Sequence, residues 1–313
     1  MKISLSKKDF EEILSSYNLG RYLKSKYIFT PGNTIYKIYT TKGEYILKIY
    51  KDTNIKIVRY QIKLIDFLTK HKVTTPRIIQ TKNGEEILSW NTEKLAIQEF
   101  AEGKGVNSAN KEIAKDMGHK WGILAKALNE FKDKLKTKNK DHQFKLVKWK
   151  KPVLFNQNWE KESEKLLKEI KKIDKTKLKR GLTHGDLCEG NFLVSKNKVS
   201  AIIDWDNLQE DYLIQDIAVT IAHILITKKK VEKELIKIFL KEYQKSIKLN
   251  SEEKKALYYF IRCRKLGANS WCYDQTLKHP DKKDELMRWI NWGVNQYNTF
   301  NKISLKDWLE IIE

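Results

Sequence analysis

The sequence predicts an α+β chain, with a small antiparallel β-rich part over residues 1–100 and a larger, mainly helical part over residues 101–313. Residues 34–39 and 45–50 are two runs rich in the β-branched and aromatic residues that favour strands. After about residue 100 the apolar period lengthens to that of a helix, and from Asp216 onward it stays so.

The elements follow in order. Residues 34–39 and 45–50 are β-rich runs separated by Thr-Thr-Lys-Gly-Glu, a hairpin signal. Residues 77–81 and 86–90 flank Asn83-Gly84, a dipeptide that tolerates the positive φ of a tight hairpin turn. Residues 95–100 supply one more strand. Between the two expected hairpins, Ile57, Gln61, Leu64, Ile65 and Leu68 recur on one helical face, which gives way near Lys72 ahead of Pro76. The first part is therefore expected to be a small sheet with one helix. Beyond the short crossing at residues 101–105, Ile113, Met117, Trp121, Leu124 and Leu128 fall in helical phase. The lysine-rich residues 132–151 are expected to be a solvated connection and residues 159–172 a further helix. Asn250-Ser251-Glu252-Glu253 looks like a helix start.

Composition narrows the function classes. The chain has 313 residues, 41% hydrophobic and 11% aromatic, enough for a sizeable core and against wholesale disorder. Its formal charge of +22 invites a nucleic-acid reading, but only seven of the 62 basic residues are arginine. Arginine is the bidentate reader of bases and phosphates, whereas lysine is a flexible point charge. The lysines are also spread along the whole chain, which argues against nucleic acid as the dedicated partner. The longest apolar run, residues 217–226, is short of the ~20 residues that a membrane span needs. Residues 1–10 lack the continuous apolar core of a secretory signal, and three cysteines make neither a disulfide framework nor a zinc quartet. These features predict a soluble, cytoplasmic protein.

The chemistry is concentrated in Leu-Thr-His-Gly-Asp-Leu-Cys-Glu-Gly-Asn-Phe-Leu-Val at residues 182–194 and Ala-Ile-Ile-Asp-Trp-Asp at residues 201–206. Residues 191–194 and 199–203 read as two strands, whose hairpin would bring Asn191 and Asp204 side by side at one end. That pair offers hard oxygen ligands to Mg²⁺, which keeps several waters and bridges substrate phosphates. Asp186 is left to accept a proton from an attacking hydroxyl. Phosphoryl transfer asks for little beyond a positioned base, a metal and a charge clamp.

His184-x-Asp186-x4-Asn191 with Ile203-Asp204 resembles the catalytic and metal loops of aminoglycoside phosphotransferases, a grouping that includes choline kinases, homoserine kinases of that type and spore-coat kinase-like proteins. The resemblance implies a bilobal protein-kinase-like fold that binds ATP or GTP with Mg²⁺ between its lobes. Residues 33–50 resemble its first hairpin, residues 98–103 its hinge and Asp216 the start of a structural helix. By position, Asp186 resembles the catalytic base, Asn191 and Asp204 the metal ligands, and Lys48 the lysine on the nucleotide phosphates. His184 would brace the loop, Asp216 would hold the loop's backbone, and Asp206 would reach a second metal or water. Gln98 to Phe100 would meet the adenine through backbone groups, and the turn holding Gly32 and Asn33 would cover the phosphates. There are two departures. Gly32 stands alone rather than in a glycine-rich repeat, and Gln61 occupies the helix position where a glutamate would pair with Lys48. Glutamine can hydrogen-bond a lysine but cannot offset its charge.

Plainer readings stand beside these. Asp-x4-Asn also suits a capped turn, and Lys48 a solvent-facing strand position. Gln61 also suits a buried polar group satisfied by backbone. His119 and His223 read as structural, and Cys188 as filler. A protein substrate is disfavoured: Gly185 replaces the arginine that protein kinases place between His and Asp, and the short interval from Asp204 to Asp216 leaves no activation segment. The acceptor is then a small alcohol or a sugar hydroxyl. Trp271, Tyr273 and Asp274 are candidates for its pocket, with Trp289 and Trp292 further along. Aromatics beside a carboxylate suit a cationic amine, and equally suit helix packing. A +22 chain would repel polycationic aminoglycosides unless its pocket were locally acidic, so an amino alcohol such as homoserine or choline, or a sugar, is at least as good a fit. The expected function is an ATP- or GTP-dependent small-molecule kinase. The alternative, motivated by Gln61 and the basic surface, is a kinase-fold binding or spore-coat-type protein with little catalysis.

Overall fold

The structure, a computed structural model, describes residues 3–28, 33–51, 54–133 and 159–313. The chain divides into two compact units, residues 1–102 with 201–203, and residues 103–200 with 204–313.

The first unit opens with α1 (Lys7–Ser15), whose start is fixed by a capping box: Ser6 Oγ accepts from Asp9 N, and Asp9 Oδ2 accepts from Ser6 N at 2.7 Å. The strands are β1 (Tyr22–Ile28), β2 (Thr34–Thr40), β3 (Gly43–Tyr50), β4 (Ile78–Ile79), β5 (Leu88–Trp90) and β6 (Glu93–Glu99), with α2 (Ile55–Lys70) after β3. The antiparallel sheet runs β1-β2-β3-β6-β4, with β5 also on β6. Burial alternates strictly along β2, and its inward side chains Tyr36 and Ile38 join Leu47, Ile97 and the α1 residues Phe10, Ile13 and Leu14 in one core. A smaller cluster packs Val58 and Ile62 of α2 against Tyr50 and Ala96.

Three expectations need correction in this unit. It holds two helices rather than one: α1 is too short for its period to stand out, and capping with burial of three residues defines it. Asn83-Gly84 does not join a hairpin. β4 and β5 both pair with β6 at different registers, so residues 80–87 form a local turn, in which Thr81 N donates to Glu85 O. The hairpin partner of β5 is β6 itself, turned at Asn91, whose φ is +51°. On α2, Ile57 is exposed, and Val58 and Ile62 fill the buried face.

The second unit comprises α3 (Lys111–Glu130), α4 (Trp159–Ile170), the strand pairs β7 (Arg180–Thr183) with β10 (Gln209–Tyr212) and β8 (Phe192–Ser195) with β9 (Lys198–Ile202), then α5 (Ile214–Thr220), α6 (Lys233–Tyr243), α7 (Ser251–Lys278), α8 (Lys283–Asn301) and α9 (Leu305–Ile312). Asn250 caps α7 and Glu253 reciprocates, as the sequence signal predicts. All five expected core residues of α3 are buried. Gly118 lets α3 approach α6 closely, since a Cβ there would stand 2.2 Å from Phe239 O. The expected connection at 132–151 lies outside the described residues from 134 onward. Among the described residues, no helix is long and apolar enough to cross a membrane.

Candidate active site

The loop after β7 is built around Asp216 in the first turn of α5. Its two carboxylate oxygens accept the backbone N–H groups of His184 (2.9 Å) and Gly185 (2.8 Å), pinning two successive peptides. Burial pushes this carboxyl above its ordinary range, with His184 and the two amides acting in the opposite sense. His184 is itself fully buried, tilted against Trp205, and its Nδ1 accepts from Asp186 N at 3.3 Å. Gly185 has φ +83°, and a Cβ there would lie 2.3 Å from Asn207 O, so only glycine permits this path. One step further, Thr220 Oγ1 donates to Leu187 O (2.9 Å) while accepting Trp121 Nε1–H (2.6 Å), which ties α3 and α5 to the loop.

That scaffold presents Asp186. Asn191 Nδ2 donates to its Oδ2 and its backbone carbonyl, both at 2.8 Å, and Asn207 Nδ2 lies at 3.5 Å from Oδ2. Oδ1 takes the Cys188 thiol at 3.4 Å and an ion pair from Arg264 Nη2 of α7. Burial alone would raise the carboxyl, but Arg264, with His223 and His184, holds it below the usual carboxylate range. Burial, joined by the charge of Asp186 and opposed by Arg264, pushes the Cys188 thiol well up, so it is a neutral donor rather than a nucleophile.

Arg264 extends the network away from Asp186. Its Nε–H, which can only donate, reaches His223 Nε2 at 3.1 Å, so the His223 proton sits on Nδ1, which donates to Glu189 Oε2 at 2.9 Å. Burial, reinforced by the charge of Lys265, lowers His223 to about 4 and keeps it neutral at pH 7. Glu189, despite burial, is held at about 2 by its His223 partner and stays ionised. His223 lies in a five-residue π-helical turn, Ile221–Leu225, which follows α5.

These groups line a cavity of about 810 Å³ that lies wholly within the second unit. Its walls include Gly105 to Asn107, Asp186, Glu189, residues 263–269 of α7 (Leu266 apart), and Trp271, Trp289 and Trp292. Trp271 lines the cavity, whereas Tyr273 and Asp274, further along α7, do not. Arg264, Lys265, Glu189, Asn207 and Asn269 had no motif to announce them. For Arg264, Lys265 and Asn269 the one trace is a run of Arg, Lys and Asn inside α7, where a single apolar stripe would otherwise be expected, while Glu189 and Asn207 lie in and directly after the two segments that carry the chemistry.

The remaining candidates sit as follows. Asp204 lies two residues after the end of β9, in the left-handed region (φ +62°), and β9 pairs with β8, which begins just beyond Asn191. Their oxygens are hard donors, and Mg²⁺ commonly takes only one or two protein ligands beside substrate phosphates and water. The residues therefore fit that ion. Among the described residues, no cluster of three or more His, Cys, Asp or Glu could hold a metal unaided. Asp206 follows in a short 3-10 turn. In the first unit, Lys48 stands on β3 opposite Ile35 and Ala96, with its Nζ 5.5 Å from the centre of the Tyr50 ring. Gln61 is buried on α2. Gln98 pairs with Ile46 and Ile78, the Phe100 ring lies under Lys37 Nζ, and Asn33 Oδ1 accepts Lys51 N at 3.1 Å. Gly32 lies outside the described residues.

Comparison with known proteins agrees with this fold. A homoserine kinase from Bartonella henselae is 25% identical over 224 residues, covering 67% of this chain and 68% of that protein. Two solved structures share the fold: amicoumacin kinase hAmiN in complex with AMP-PNP, Ca²⁺ and Ami (TM-score 0.70, 18% identity, 96% of this chain and 95% of that one) and a microcompartment-associated aminopropanol kinase (TM-score 0.69, 14% identity, 98% and 100%). Residues 32–244 match the phosphotransferase enzyme family, abbreviated APH, which spans β2, the Asp186 loop and α5 alike. The chain therefore belongs to that family and is a small-molecule kinase, a phosphotransferase with an alcohol group as acceptor.

Proposed function

We propose that this chain uses ATP and Mg²⁺ to phosphorylate a small hydroxyl-bearing amine or amino acid, with Asp186 as the base. The observation that carries the reading is an ionised, four-donor carboxylate on the wall of a cavity large enough for a small acceptor. Asp186 takes the proton from the acceptor hydroxyl as that oxygen bonds to the γ-phosphorus and the bond to the departing ADP oxygen breaks. Arg264 and Asn191 keep the carboxylate ionised and oriented. Asn191 and Asp204 would hold Mg²⁺, which supplies neutralisation of phosphate charge, and Asp206 would assist through water. Lys48 would meet the nucleotide phosphates, the turn of Gly32 and Asn33 would cover them, and Gln98 to Phe100 would meet the base. ATP is preferred over GTP because a fold neighbour is described with an ATP analogue. The names of the relatives make homoserine and aminopropanol the first acceptors to try.

The test is nucleoside diphosphate release from ATP and from GTP over hydroxy amino acids, amino alcohols, sugars and aminoglycosides. Acceptor-dependent turnover is expected with ATP, falling about 10²–10⁴-fold in Asp186→Asn. Equal turnover in wild type and variant would remove Asp186 from the role of base.

A further inference from the structure

The cavity wall holds a polar group that phosphoryl transfer does not use. Lys265 is 2% exposed, yet among the described residues its ammonium has one hydrogen-bond acceptor, the neutral Gln296 Oε1 at 2.6 Å. An ammonium carries three donors, and a buried charge is normally matched by a carboxylate. Among the described residues none lies within ion-pair distance of Lys265, since Glu189 is taken by His223 and Asp186 by Arg264. Gln296 is not free to swing away. Its Nε2 donates to the carbonyl of Ile226 and, at 3.4 Å, to that of His223, so the π-helical turn fixes the Gln296 carbonyl against Lys265. One turn along α7, Asn269 is 3% exposed, and its Nδ2 has no hydrogen-bond partner among the described residues. Residues 265 and 269 are i and i+4 on one helix face, and both line the cavity that Asp186 lines.

We propose that Lys265 and Asn269 form a subsite for a carboxylate carried by the acceptor itself, so that the substrate is a hydroxy acid or hydroxy amino acid rather than a simple amino alcohol. The inference rests on the reading of this cavity as the acceptor site. A single carboxylate would supply the missing counter-charge to Lys265 and an acceptor for the orphaned amide N–H together. Because one continuous cavity joins Lys265 to Asp186, the same small molecule can place its anion on one and its hydroxyl on the other. Glu189, ionised on the same wall, leaves room for an ammonium as well. The three tryptophans then serve as apolar walls rather than as a cage for a cation.

Matched pairs differing by one carboxylate test this: homoserine against 3-amino-1-propanol, threonine against 1-amino-2-propanol, and 5-hydroxylysine against its decarboxylated diamine. Binding is read without nucleotide or Mg²⁺ from the fluorescence of the cavity tryptophans, so it does not depend on turnover. In the wild type, at least one carboxylated member should bind about tenfold or more tightly than its partner. The preference should vanish in Lys265→Met. It should vanish also in Asn269→Asp, which adds an internal carboxylate and breaks no existing hydrogen bond of the Asn269 amide N–H, should the first variant fail to fold. Tighter or equal binding of the decarboxylated members, no binding by any pair, or a preference that survives either variant would overturn the subsite. Selective binding with no turnover would instead count against the kinase assignment of Asp186 and leave the subsite standing.

Discussion

Lys265 sets a measurable cost on the ligand-free protein. Burial lowers its ammonium to about 7, with Arg264 adding to the effect and Glu189, Cys188 and Cys272 opposing it. In the unfolded chain the same lysine titrates near 10.4. Between these values the unfolded state binds more protons, so the stability tied to Lys265 is present at high pH and is lost as pH falls through about 7. Lys265→Met lacks this dependence. The melting temperature of the variant relative to wild type should be highest near pH 6 and should decline steadily towards pH 10, where the neutral wild-type amine still donates to Gln296. A constant difference across that range would mean that Lys265 is solvated and ordinary. Little of this was legible from sequence. The Asp186 loop announces itself because its residues are close in the chain, whereas Lys265 and Asn269 acquire meaning only once α7 is laid beside Gln296 and the π-helical turn.

Among the elements, α5 and the turn that follows it do most of the positioning. Asp216 holds the loop at its start, Thr220 holds it at its end, and Trp121 of α3 completes the second hold. Thr220→Val keeps the shape of the side chain while leaving the indole N–H and the Leu187 carbonyl unpaired in a buried site. The expected loss is about 1–3 kcal/mol of stability, seen as a lower denaturation midpoint, together with a reduced kcat because Leu187 adjoins Asp186. An unchanged midpoint would show that water or rearrangement replaces the brace. Elements with a long apolar period, such as α2 and α3, could be read from the sequence because their burial is regular, and α7 from the capping signal at its start. The Asn83-Gly84 hairpin could not be read correctly, because a turn signal states that the chain reverses locally and not which strand it then pairs with. Here β6 offered a longer partner to both flanking segments than either could offer the other.

At the scale of the whole molecule, the charge of +22 has to be reconciled with an acceptor site of balanced charge. Four of the seven arginines are engaged inside their own units: Arg77 pairs with Glu99, Arg180 lies over Tyr212, Arg262 bonds Asn301 and Arg264 holds Asp186. The excess positive charge is therefore carried by lysines, which create a diffuse field rather than specific contacts. Such a field acts on an anion in proportion to its charge and is screened over about 10 Å at 0.1 M salt. A nucleoside triphosphate feels it strongly, whereas a zwitterionic acceptor, whose carboxylate is gripped by buried groups, feels it weakly. Raising salt from roughly 50 to 500 mM should lower kcat/KM for ATP several-fold, leave kcat at saturating ATP unchanged, and move the acceptor KM much less. Equal salt sensitivity of both KM values would instead place the acceptor's anion in solvent-screened surroundings and weaken the case for Lys265. Insensitivity of both would confine the lysines to keeping the chain soluble.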